Sequence, residues 1–182
     1  MKEGKWVKSK LTGLELKDKT LGIVGLGLVG SIVARIASAI GMSILFFDPY
    51  VSGVHAKNLG VKRVDINTLL KNSDIITLYV SLTSYTRHMI GRRELDIMKK
   101  SAILINTSRG AVIDEKALTE ALMSGKISGA GLDVYSSEPP KDLSLIKLQN
   151  VVCTPHIGSE TYETKKRTSS LLSKKIIEAF NK

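Results

Sequence analysis

The segment Gly25-Leu26-Gly27-Leu28-Val29-Gly30 constrains this chain more than any other, because of what stands on either side of it. Before it runs Leu21–Val24, the apolar pattern of a short buried strand. After it, Val29, Ile32, Val33, Ile36 and Ile40 recur at helical spacing, and Gly41 follows as a helix stop. A strand that turns on glycines straight into a helix is a phosphate-binding turn. The first glycine permits the tight turn, the second lets a pyrophosphate approach the backbone, and the third lets helix and strand pack closely. The helix N-terminus then presents free N–H groups and a positive dipole end to the phosphates. Asp48 closes the second strand, Ser43–Phe47, about twenty residues on, where an acid meets the adenosine ribose. Its carboxylate accepts from both ribose hydroxyls and repels a 2′-phosphate, so the expected cofactor is NAD rather than NADP.

The same rhythm continues downstream. Val61–Val64 reads as a weak third strand at an edge, and Asp65 caps a short helix through Leu69 and Leu70. Asp74–Val80 is almost continuously apolar, as expected of a strand covered on both faces. Leu95–Lys99 reads as helix and Ala102–Asn106 as strand. Asp114 and Glu115 open a helix through Leu118, Ala121 and Leu122 that Gly125 stops. Strands Gly129–Val134 and Val151–Thr154 follow, and Glu160–Phe180 reads as a long closing helix. Alternation of this kind predicts an α/β fold, a Rossmann-type doubly wound parallel sheet of six or seven strands with helices on both faces.

Three of the later strands lead into loops that carry Arg109, Glu138 and His156. Side by side in a parallel sheet, these loops open at its carboxyl edge, where open α/β sheets bind ligands. Reduction of a ketone builds negative charge on oxygen, which a cation and an acid must meet. Arginine forks onto a carboxylate, and a carboxylate beside an imidazole orients it and favours its charged form. His55 and His88 lack such settings and read as surface residues.

Four ordered motifs now become specific: Gly25–Gly30, Asn106-Thr-Ser-Arg-Gly110, Gly131-Leu-Asp-Val134 with Glu138-Pro139, and Thr154-Pro-His-Ile-Gly158. Over roughly Gly13 to Thr164 the chain resembles the NAD-binding domain of the D-isomer-specific 2-hydroxyacid dehydrogenases, phosphoglycerate dehydrogenase-like. The resemblance implies hydride transfer between NAD(H) and a 2-oxo or 2-hydroxy acid, with glyoxylate or hydroxypyruvate as alternative substrates. It implies that Arg109 holds the 2-oxo acid and polarises its carbonyl, that His156 is the general acid and base, and that Glu138 is its partner. The cofactor contacts it implies are Gly25, Gly27, Leu28, Val29, Gly30, Asp48, Val80, Ser81, Thr107, Asp133 and His156, with Asp133 on the nicotinamide carboxamide. No metal is called for. Leu28 departs from the basic or polar residue common at its position. Tyr79 and Ser81 stand where histidine and proline are common.

The resemblance further implies three parts: an N-terminal arm over 1–20, the NAD-binding domain over 21–158, and a C-terminal helix over 159–182 that would cross to a substrate domain absent from this chain. Without that domain the chain is expected not to turn over alone. The alternative is an NAD-sensing interaction or dimerisation module without turnover. A homodimer is expected, and Trp6 in the arm is a candidate anchor on a neighbouring subunit. The net charge of +10 does not argue for a nucleic-acid partner, because its excess sits at the two ends without aromatic stacking platforms. No apolar run reaches the length that spans a bilayer. The lone Cys153 suits a reducing cytoplasm.

Overall fold

The structure, a computed structural model, describes residue 4 and residues 12–180. Trp6, with half of the arm, lies outside the described residues. Seven parallel strands form one sheet: β1 (Thr20–Val24), β2 (Ser43–Phe47), β3 (Lys62–Arg63), β4 (Ile75–Leu78), β5 (Ile103–Asn106), β6 (Gly129–Leu132) and β7 (Val151–Cys153). Their order is β3-β2-β1-β4-β5-β6-β7. The order reverses between β1 and β4, and that switch point opens a crevice at the carboxyl edge, the place where open α/β sheets bind dinucleotides. Two expectations hold: β3 is an edge strand of two exposed residues, and β5, β6 and β7 are neighbours.

The described residues form six α-helices: α1 (Leu28–Ala39), α2 (Gly53–Asn58), α3 (Ile66–Asn72), α4 (Arg92–Ile97), α5 (Glu115–Met123) and α6 (Tyr162–Phe180). Asp65 caps α3 by accepting from Thr68 N, and Asp114 caps α5 by accepting from Lys116 N and Ala117 N. The larger core lies between β4, β5 and β6 and helices α3 to α5, and includes Leu70, Ile76, Leu104, Leu118 and Leu122. A second core lies around Ile23, Leu26, Ala34, Ile44 and Phe46. Helix α2 is not visible in the apolar pattern; its start comes from Ser52, whose side chain accepts from His55 N.

The orientation of α1 is the main surprise. Its large apolar side chains form the expected stripe, but Leu28, Val29, Ile32, Ile36 and Ile40 are exposed. The face toward the sheet is made of Gly30, Ser31, Ala34 and Ala37. Small residues let the helix axis close on the strands, so the bulky residues are turned outward. Helix α6 buries none of its residues, and Leu171, Leu172, Ile176, Ile177 and Phe180 are exposed along it. At the amino edge, opposite the crevice, Asp74 accepts from Thr20 N and from Lys99 Nζ, each at 2.8 Å. Burial works against its charged form, but these two donors outweigh it and hold the carboxyl below its ordinary value.

Candidate active site

The glycine turn is shaped as its sequence requires. Gly25 has φ +95, and a Cβ there would stand 2.7 Å from the Tyr79 carbonyl oxygen. A Cβ on Gly30 would stand 2.2 Å from the Gly25 carbonyl oxygen, whereas one on Gly27 would meet nothing within 4 Å. Two glycines thus close the turn and the middle one opens it to a ligand. A cleft of about 530 Å³ begins there, lined by Gly27, Leu28, Val29 and Gly30, then by Tyr79, Val80, Ser81 and Leu82, and finally by Thr107, Ser108 and Arg109. Seven of the residues expected to touch cofactor therefore share one cleft with the expected substrate arginine. Asp48 sits beyond the turn: its carboxylate accepts from Leu26 N at 2.9 Å, Tyr50 N at 2.8 Å and Val51 N at 3.3 Å. It ties the β2 end to the glycine turn while lying half-exposed at the rim.

Ser31, on the buried face of α1, is a support that sequence patterning did not single out. Its hydroxyl lies 3.2 Å from the Leu26 carbonyl and 2.9 Å from His55 Nε2. His55 is on the surface as expected, but it is bonded to the floor of the turn rather than isolated.

The loop after β5 is built around Asn106, which is 1% exposed. Its Oδ1 accepts from Ser108 N at 3.0 Å and Ser108 Oγ at 2.9 Å, and its Nδ2 donates to the Arg109 carbonyl at 2.9 Å. An asparagine that bonds its own turn in this way fixes the backbone from which Arg109 projects. The Arg109 side chain is exposed and donates to the Ser108 carbonyl at 2.6 Å. Next to it, Gly110 packs against the loop after β6: a Cβ there would fall 1.9 Å from the Tyr135 carbonyl carbon. Glu115, at the start of α5, accepts from Ser136 N at 2.6 Å and holds that same loop.

Glu138 and His156 meet. His156 Nδ1 lies 2.7 Å from Glu138 Oε2, while Glu138 Oε1 accepts from Tyr135 N at 3.2 Å. The imidazole contact first, and the Tyr135 N–H second, hold the Glu138 carboxyl below its ordinary value. His156 has φ +54, a left-handed backbone that costs a non-glycine residue about 1–2 kcal/mol. Asp133 offsets that strain. Its Oδ1 accepts from Thr154 Oγ1 at 2.5 Å and Ile157 N at 2.8 Å, and its Oδ2 from Gly158 N at 2.9 Å. Burial opposes the Asp133 charge, yet the three donors win and keep its carboxyl low.

Arg109 lines the cleft of the glycine turn, whereas Glu138 and His156 line a neighbouring cavity of about 420 Å³ with Tyr135, Pro139, Ile146 and Cys153. The expected trio is therefore a joined pair and an arginine two strands away, all at one sheet edge. The supports of the trio are Asn106, Gly110, Glu115 and Thr154; the sequence places Asn106 and Gly110 in one motif, Thr154 in another and Glu115 at a helix start, without marking them as supports.

A fold with a glycine turn at the switch point and polar loops at the ends of β5, β6 and β7 can be compared with known proteins. Residues 1–158 match the family model described as D-isomer specific 2-hydroxyacid dehydrogenase, NAD binding domain. The chain is 49% identical over 177 residues to D-3-phosphoglycerate dehydrogenase of Methanocaldococcus jannaschii, covering 97% of this chain and 34% of that protein. It is 47% identical over 184 residues to glyoxylate reductase of Thermococcus litoralis, covering 97% and 56%. Among solved structures, a glyoxylate reductase from Paecilomyes thermophila superposes with a TM-score of 0.91 at 40% identity, covering 100% of this chain and 55% of that one. The chain belongs to the D-isomer specific 2-hydroxyacid dehydrogenase family, of which it is an NAD-binding domain. It spans between a third and just over half of the length of these curated relatives.

Proposed function

We propose that this domain carries the cofactor and the acid–base half of a dehydrogenase that transfers hydride between NAD(H) and a 2-oxo or 2-hydroxy acid. In this reading the glycine turn takes the pyrophosphate, Asp48 the adenosine ribose, and the end of the cleft near Thr107 the nicotinamide. Bound NADH supplies the hydride. His156 gives a proton to the oxygen of the reduced carbonyl and takes it back in oxidation. Glu138 holds the imidazole in line, and Arg109 binds the acid and draws charge from its carbonyl. Asp133 keeps the His156 turn and faces the carboxamide. The observation that carries the reading is the 2.7 Å pairing of Glu138 with His156, one loop from the cleft that Arg109 ends. Desolvation and positioning of the acid require a second, substrate-binding domain outside 21–158, reached through the helix in 159–182.

Relatives that share nearly half of the residues carry three substrate names, phosphoglycerate, glyoxylate and hydroxypyruvate, and overall similarity leads with the first. The test is NADH oxidation by the full-length protein with 3-phosphohydroxypyruvate, hydroxypyruvate and glyoxylate in parallel. Reduction of one of these that is abolished by His156→Ala supports the reading. NADH binding without reduction of any of them favours a sensing or dimerisation module instead.

The same reading gives the domain a second copy as partner. The outward stripe of Ile32 and Ile36 on α1, with Ile40 at its C-cap, is an apolar surface of the kind that homodimers cover. No described helix is long and apolar enough to cross a membrane. The free thiol of Cys153 suits the cytoplasm.

A further inference from the structure

We infer that Arg63, on the edge strand β3, is a specificity-determining residue that lets the cofactor cleft accept a 2′-phosphorylated dinucleotide beside NAD(H). The inference rests on the proposed placement of the adenosine ribose at Asp48. Asp48 alone argues against a 2′-phosphate, because a carboxylate and a phosphate repel. Its carboxylate, however, is already turned onto three main-chain N–H groups, Leu26, Tyr50 and Val51. The guanidinium of Arg63 approaches the same residue, donating from Nη2 to the Asp48 carbonyl. A further contact holds that cation at the end of β2. Arg63 pairs with Phe46 in the strand register, and its guanidinium carbon stands 6.0 Å from the centroid of the Phe46 ring. The side chain is exposed. A carbonyl takes one of the five guanidinium donors, which leaves a fork suited to phosphate oxygens. The end of β2 therefore carries opposite charges within one residue's reach. Asp48 selects the free 2′-hydroxyl, and Arg63 offsets the repulsion when that hydroxyl is phosphorylated.

The experiment measures dissociation constants of NADH and NADPH, by calorimetry at fixed ionic strength, for the unaltered chain, Arg63→Gln, Arg63→Lys and Asp48→Ser. Arg63→Gln is expected to weaken NADPH about fivefold more than NADH, the scale of one exposed charge-assisted contact. Arg63→Lys recovers part of that difference, because it keeps the charge and loses the fork. Asp48→Ser raises the relative affinity for NADPH, and adding Arg63→Gln to it reverses the gain. Equal weakening of both cofactors by Arg63→Gln overturns the inference, since Arg63 then serves only to shape the β2 end. An unchanged NADPH-to-NADH ratio, or no NADPH binding to the unaltered chain, overturns it as well. If NADH itself fails to bind, the placement of the ribose at Asp48 falls first and takes this inference with it.

Discussion

The two halves of the carboxyl edge solve different problems with different parts of the chain. Around β1, β2 and β4 the glycine turn offers main-chain N–H donors and empty space, with the Asp48 carboxylate beside it: Gly27 is open, and Gly25 and Gly30 close the turn that makes it so. Around β5, β6 and β7 the groups are side chains, and each is held by another side chain or by a tight backbone approach. Asn106 frames Arg109, Gly110 and Glu115 hold the Glu138 loop, and Asp133 clamps the turn of His156. In the proposed function, shape serves binding on one side and positioned charge serves reaction on the other. The two sides should therefore respond differently to mutation.

The largest expected effect is on the reacting side. In the full-length protein, His156→Ala should lower 2-oxo acid reduction by a factor of roughly 10²–10⁴, the scale of one acid–base group, while NADH affinity stays nearly unchanged. Loss of NADH binding on the same scale would erase the distinction between the halves.

Two glycines then separate space for the ligand from space for the fold. Gly27→Ala should leave thermal stability near that of the unaltered domain and weaken NADH about tenfold, because its Cβ would meet no protein atom within 4 Å and, in the proposed placement, only the pyrophosphate. Gly30→Ala should instead destabilise the domain by about 1–3 kcal/mol, because its Cβ meets the Gly25 carbonyl. Denaturant melts with and without NADH check both.

A smaller effect is expected from the support of His156. Thr154→Val removes one of the three donors to Asp133 and should cost about 1–2 kcal/mol of stability, read from the same melts. The smallest effect is electrostatic. The Glu138 carboxyl should titrate below its ordinary value of 4.5, followed by carbon-13 NMR, and should move upward in His156→Ala. Because the folded value is depressed, the stabilisation from this pair is present above the unfolded carboxyl value and is lost as pH falls through the folded one. An inflection that does not move in the variant would show that the imidazole contact is not its cause.

Much of this was legible in the residues, and unevenly so. Strand–turn–helix alternation predicts the sheet, its helices and the adjacency of β5, β6 and β7, because buried parallel strands are apolar runs with polar ends. The glycine turn is legible because each of its three glycines meets a different steric demand. The facing of α1 is not legible from hydrophobic periodicity, since its stripe names a face without saying what covers it. Here Gly30, Ser31, Ala34 and Ala37 pack inward on grounds of size. Helix α2 has no apolar period to betray it. At the site, Arg109, Glu138 and His156 stand out by chemical type. Gly110 and Glu115 do not, because their partners Tyr135 and Ser136 are distant in sequence and offer only backbone atoms.

The division between the halves is tested most directly by comparing NADH with ADP-ribose, which lacks the nicotinamide, in nitrogen-15 NMR titrations of the domain. Both ligands should shift the amides of Leu26 to Gly30 and of Asp48. NADH alone should also shift Thr107, Ser108, Ile157 and Gly158, where the nicotinamide ends against the reacting loops. Identical perturbation of both halves by ADP-ribose, or perturbation of neither by NADH, would contradict the account.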